Sequence, residues 1–264
     1  MTLDAVSGSC YNRFQGREGV EESALVITRP APPRLPQAPG VLSIASVTEV
    51  VYQHLRLRIL SGMTPGQPLR LNDVAAELGV STTPVRMAIE RLAGDGLVLQ
   101  AGRKGACVAP LSLSDFQDIY AVRRGLEGTA ARLGAGALTD SDISRMRLGL
   151  RRLDQIAASH KLQLDVYLEV EWEMHETCYR AAAHQRLLRE IQAYRRQAER
   201  YFRLALHEGV NVRDDLEHQH HFFDACAERD PDRAETVAQL LLDWTVERVA
   251  PLIRNLPGTQ EGPG

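Results

Sequence analysis

Apolar residues begin to recur at helical spacing at Val47. Val47, Val51, Leu55 and Ile59 stand four apart, one buried stripe of a helix that Ser61 and Gly62 end. After Pro65-Gly66 the pattern predicts a short helix carrying Val74 and Leu78, with Asn72 or Asp73 as its cap and Gly79 as its stop. A third helix opens at Ser81, admits Pro84 in its first turn and buries Val85, Ala88, Ile89 and Leu92 as far as Gly94. Leu97–Leu99 and Ala106–Val108 read as two short strands around the turn Ala101-Gly102-Arg103-Lys104-Gly105. Beyond Pro110 six amphipathic helices follow, roughly 113–134, 140–158, 162–182, 185–207, 212–228 and 231–254. Residues 1–45 hold no sustained period and crowd five prolines into 30–39, the pattern of a disordered extension; 257–264 reads as a flexible tail. The expectation is a mainly α protein: a small three-helix-plus-hairpin domain over 46–110, then an all-α six-helix bundle over 111–256.

Composition fits that picture, with 44% hydrophobic and 25% charged residues among 264. No window approaches the roughly 18 apolar residues of a membrane span. The short run Ala24–Ile27 follows Glu21 and Glu22 and makes a poor signal peptide, so a cytoplasmic location without membrane contact is expected. Cys10, Cys107, Cys178 and Cys226 lie far apart in sequence, which suits reduced thiols better than a zinc or disulfide framework. A net charge of −3 argues against nucleic acid until it is divided along the chain. Residues 1–45 are neutral, 46–110 carry +2 and 111–264 carry −5.

The +2 segment has the order of a winged helix-turn-helix. On its third helix Thr82, Thr83, Arg86 and Glu90 project away from the apolar stripe, and the Arg86 fork suits guanine or phosphate. Arg103, Lys104 and Gly105 at the hairpin tip let a wing approach the DNA backbone. The bland alternative is a set of solvated charges on a small helical domain. Val51–Gly62, Pro65-Gly66, Leu78–Arg86, Arg91-Leu92 and Asp95–Leu97 together resemble the winged helix-turn-helix of the GntR family of bacterial transcription regulators. The helices that follow resemble the effector-binding and dimerisation domain of its FadR-type subfamily, the FCD domain, and their number suggests the VanR-like branch. The family has Arg where this chain has Thr82, which shifts the expected contacts toward Arg86 and the wing. The resemblance implies a homodimer on double-stranded inverted-repeat operator DNA, usually a repressor released by a small metabolite, and no enzyme.

Within the first bundle helix Arg123 interrupts the apolar stripe of Phe116, Ile119, Leu126, Ala130 and Leu133. A charge there must be paired: with Glu127 one turn on, or with an anion in a cavity. FadR-type domains place an Arg here at the effector pocket, which implies a carboxylic acid as effector. In the third bundle helix Glu171 and His175, at i and i+4, could clamp a divalent metal such as zinc. Metal-binding members of the family add two histidines from the last two helices, and those positions align with Gln219 and Leu241. An effector held directly by Arg123, Glu171, His175 and Gln219, without a metal, is therefore the expectation. Trp172, Phe222, Phe223 and Trp244 are placed around that pocket. A di-iron metalloenzyme would need two Glu-x-x-His motifs, and only Glu217–His220 fits. A non-specific DNA-binding protein would leave the acidic bundle without a purpose.

Overall fold

A computed structural model describes residues 44–100, 106–159, 164–207 and 212–256. The chain divides into two compact units, Met1–Pro110 and Leu111–Gly264.

The described part of the first unit is α1 (Ile44–Leu60), β1 (Pro68–Leu69), α2 (Leu71–Leu78), α3 (Thr82–Gly94), β2 (Val98–Gln100) and β3 (Ala106–Val108). Val51, Leu55, Val85, Ala88, Leu92 and Leu97 fill its core, so the stripes on α1 and α3 face each other. Tyr52 joins the same helices by polar means: its hydroxyl donates to Asp95 Oδ2 at 2.6 Å, and the Arg91 guanidinium lies 3.8 Å over its ring. Burial and this carboxylate push the Tyr52 hydroxyl up to about 12. Gly79 ends α2 in the left-handed conformation, φ 65°. Neither Asn72 nor Asp73 caps α2; its N-cap is Arg70, whose extended backbone leads straight out of β1. That strand is missing from the sequence pattern because two residues, Pro68 and Leu69, give no period. It pairs antiparallel with β3, which also pairs with β2, giving the order β1-β3-β2.

The second unit contains α4 (Leu113–Ala135), α5 (Asp140–Ala158), α6 (Leu164–Ala181), α7 (Gln185–His207), α8 (Val212–Ala227) and α9 (Pro231–Arg254). Polar side chains at their N-termini cap three of them. The Ser112 hydroxyl accepts from Asp115 N, Thr139 and Asp142 form a capping box, and Asp230 caps α9 with Pro231 at its first position. Helix α4 packs on α9, α8, α7 and α6, while α5 packs on α6 and α8. The crossing of α4 and α6 is so close that a Cβ on Gly134 would lie 2.0 Å from the Cys178 carbonyl oxygen, which only glycine permits. One apolar cluster centres on Met146, Leu153, Met174 and Phe222, another on Phe116, Tyr201 and Ile253. Leu133, expected in the buried stripe, is 43% exposed because that stripe drifts around a helix of 23 residues. Cys178 and Cys226, distant in sequence, meet with their sulfurs 3.6 Å apart, and Cys178 is held well above an ordinary thiol by that neighbour and by burial.

Candidate nucleic-acid interface and effector site

In the first unit the buried residues of α3 are Pro84, Val85, Ala88, Ile89 and Leu92. Thr83, Arg86 and Glu90 are consequently exposed and Thr82 half-buried on the opposite side. Ser81 stands at the N-cap without a side-chain bond to the helix, so the first turn of α3 presents free backbone N–H groups beside Thr82 and Thr83. Arg103, Lys104 and Gly105 lie outside the described residues.

In the second unit three of the four residues expected at the effector site, Arg123, His175 and Gln219, sit in one continuous hydrogen-bonded chain. Arg123 of α4 donates from Nε to Glu127 Oε1 at 2.6 Å, and both are buried. Of the two partners open to Arg123 in sequence, Glu127 is the one it has. Burial opposes the guanidinium's charge, but Glu127 outweighs it and Arg123 is held above its ordinary value. The other Glu127 oxygen accepts from the Tyr179 hydroxyl at 3.0 Å, which lies 3.1 Å from His175 Nδ1. His175 Nε2 faces Gln219 Oε1 at 2.7 Å, and the Gln219 amide nitrogen faces Asp215 at 3.2 Å. Asp215 Oδ2 also accepts from the Tyr167 hydroxyl at 2.6 Å. The His175 ring stacks on Phe222, centroids 4.2 Å apart and 7° from parallel.

Donor counting in this chain places one mobile proton. The single Tyr179 hydroxyl hydrogen points at Glu127, so with Gln219 Oε1 toward His175 the imidazole must donate from both nitrogens, as imidazolium. Rotating the Gln219 amide by 180° reverses this: neutral His175 accepts at Nε2, and Asp215 must then carry the proton to donate to Gln219 Oε1. Burial pushes His175 below its ordinary value and pushes Asp215 up to about 7, with the Glu171 carboxylate adding to the rise. Both directions favour the proton on Asp215.

Glu171 is engaged elsewhere. The Arg195 guanidinium of α7 grips both its oxygens, one at 3.4 Å and the other closer, donates to the Leu168 carbonyl at 3.1 Å and lies 4.7 Å over the Trp172 ring. Burial works against the Glu171 charge; Arg195 and then His175 outweigh it and hold the carboxyl below the usual range. Arg195, Tyr179, Tyr167 and Asp215 carry no signal in the sequence pattern that marks them for this site. Arg195 sits on a helix with many arginines, and only the three-dimensional meeting of α6 and α7 selects it. The aromatic residues divide: Phe222 and Trp172 border the network, while Phe223 lies under Arg147 and Trp244 against His218.

Comparison with known proteins finds a match for each unit. Residues 47–108 match the model of the bacterial regulatory proteins of the GntR family, and residues 118–243 match the FCD domain. An HTH-type transcriptional regulator from the ttuE-ttuC' intergenic region of Agrobacterium vitis is 33% identical over 147 residues, covering 54% of this chain and 84% of that protein. The chain belongs to the GntR family, with an FCD domain. The HTH-type transcriptional repressor RspR of Escherichia coli is 29% identical over 131 residues, 49% of this chain; the match spans 57% of that repressor's own length. Among solved structures McbR/YncC of Escherichia coli shares the fold, with a TM-score of 0.67 over 80% of this chain and 99% of that one at 21% identity. These relatives are regulators, not enzymes. No described helix is long and apolar enough to cross a membrane.

The metal that some FCD domains hold does not fit the donors present here. Arg195 already supplies the positive charge at Glu171, His175 Nε2 is committed to Gln219, and Leu241 has no donor atom. His220 is bonded to Asp154 at 2.8 Å instead. Among the described residues no group of three His, Cys, Asp or Glu side chains is placed to hold an ion.

Proposed function

We propose that this GntR-family chain is a DNA-binding transcription regulator, a repressor by analogy with RspR, that reads an inverted-repeat operator as a homodimer through α3. The observation that carries the reading is the exposed polar side of α3, with Thr83 and Arg86 opposite a fully apolar inner side. Thr82 and the wing residues Arg103, Lys104 and Gly105 complete the proposed contact set. Arg86→Ala is expected to weaken operator binding by 10- to 100-fold, about 1–3 kcal/mol for one base-reading arginine, in a mobility shift at fixed salt, with the melting temperature unchanged. Undiminished binding would remove Arg86 from the interface.

The bundle interior is the proposed effector-responsive element, through Arg123, Glu171, His175 and Gln219. Its charges already balance: Arg123 with Glu127, Arg195 with Glu171, and one proton shared between His175 and Asp215. A carboxylate effector therefore enters only by taking Glu127's place on Arg123, and the displaced negative charge must be met by a proton. Its affinity is expected to rise as pH falls from 8 to 6, by up to about tenfold per unit for one linked proton. Arg123→Ala should abolish effector-driven release from the operator while operator binding itself persists. A normal response in that variant, read by the same mobility shift, would place the effector elsewhere.

A further inference from the structure

We propose a second ligand site in the groove between α5 and α6, on the side of α6 turned away from the polar chain, taking small amphipathic monocarboxylates. The groove is a cavity of about 440 Å³, at the small end of the range for organic ligands. Its floor is apolar, made by Val170 and Met174, and Gly149 leaves it open: a Cβ there would stand 3.6 Å from that of Met174. Leu148 forms one lip and is 62% exposed, on a helix that buries Ile143, Met146, Leu150 and Leu153. Three guanidiniums, Arg145, Arg152 and Arg180, stand around this floor, within a domain whose net charge is negative.

Their existing partners fix the class of ligand. Arg180 pairs with Glu176 at 3.1 Å, and Glu176 accepts from Gln192 at 2.6 Å, so that corner is neutral and occupied. Arg145 reaches Asp142 only at 3.6 Å, a pair of little strength because Arg145 is exposed and Asp142 is already bonded to Thr139. Arg152 has no hydrogen-bond or ion-pair partner among the described residues, and its planar fork suits a carboxylate. Glu173 and Glu176 also line the groove, so a dianion or a phosphate meets repulsion that a single carboxylate on an apolar body avoids. Val170 and Met174 precede Glu171 and His175 on α6, so a ligand on the floor presses on the helix that holds the polar chain. The binding claim stands alone; any effect on operator affinity rests on the regulator reading above.

The test is isothermal titration of the full chain, without DNA, using 4-phenylbutyrate, its neutral counterpart 4-phenylbutanol, and inorganic phosphate. One 4-phenylbutyrate per chain is expected to bind saturably and at least tenfold more tightly than the alcohol or phosphate. Arg152→Glu should weaken it by at least tenfold with the melting temperature unchanged, Gly149→Leu should abolish it by filling the floor, and Arg123→Ala should leave it intact. Absence of saturable binding overturns the proposal, as does binding indifferent to Arg152→Glu. Loss of binding in an Arg123→Ala chain that keeps its helical circular dichroism and a cooperative melt would assign the ligand to the bundle interior instead and likewise overturn it. Because no operator is present, failure here leaves the regulator reading standing, and failure of Arg86→Ala to affect DNA leaves this one standing.

Discussion

The two units keep the polar residues proposed for function in opposite ways. On α3, Thr83 and Arg86 are exposed and rest on a core of aliphatic side chains that owes them nothing. In the bundle, Arg123, Glu127, Glu171, His175 and Gln219 are buried and serve as one another's partners. A surface that must meet an outside molecule stays unpaired and can be changed without disturbing the fold. The interior proposed to respond to a ligand is part of the fold, so each side chain proposed for that role is also a structural one. The same substitution type should therefore read out differently in the two units.

The sharpest contrast is Arg195→Ala against Arg86→Ala. Removing Arg195 strands the buried Glu171 carboxylate, which should destabilise the protein by about 3 kcal/mol, the lower end for breaking a buried pair because Arg195 keeps 21% of its side chain exposed. Arg86→Ala should fall within about 0.5 kcal/mol of the parent, as surface changes do. Chemical denaturation of both variants measures the difference. Replacing both Glu171 and Arg195 with leucine and methionine should recover most of the loss, since no lone charge is then left inside. A small effect for Arg195→Ala, or an effect as large for Arg86→Ala, would break the contrast between the units.

That contrast also sets what could be read in advance. The six bundle helices and the helix–turn–helix follow from apolar periodicity and, for α2, from the stop at Gly79, signals that are local in sequence. Strand β1 is too short to have a period, and the cap at Arg70 follows from that strand rather than from the capping preference of Asn72 or Asp73. At the site, Arg123–Glu127 and Glu171–His175 are visible because their members lie one turn apart. The partners that decide their chemistry are not: Tyr179 is 52 residues from Glu127, Arg195 is 24 from Glu171 and Tyr167 is 48 from Asp215. Helix packing alone brings them together, and no pattern within a helix records it. Leu133 shows the converse, a residue that fits the stripe by spacing yet lies beyond the surface its neighbours cover.

A smaller effect reaches the proton at the end of the chain. Asp215 is buried, and among the described residues only the neutral Tyr167 and Gln219 are hydrogen-bonded to its carboxylate; Glu171 repels it, and the Arg195 charge offsets only part of the rise. Its folded pKa, near 7, lies above the 3.8 of the free side chain. Between those values the folded protein binds a proton that the unfolded chain has released, so this group's contribution to stability falls as pH rises from about 4 to 7 and is constant beyond. His175 acts in the reverse sense: with its folded value depressed, stability is lost as pH falls through the ordinary 6.5. Asp215→Asn keeps an acceptor for Tyr167 and a donor for Gln219 while abolishing the titration. The variant should match the parent near pH 5 and exceed it by about 1 kcal/mol or more at pH 8, where one proton linked per unit of pH is worth about 1.4 kcal/mol. Parallel stability curves across pH 5–8 would mean that Asp215 is ionised throughout, and that His175 carries the proton which the Gln219 amide leaves to one of the two.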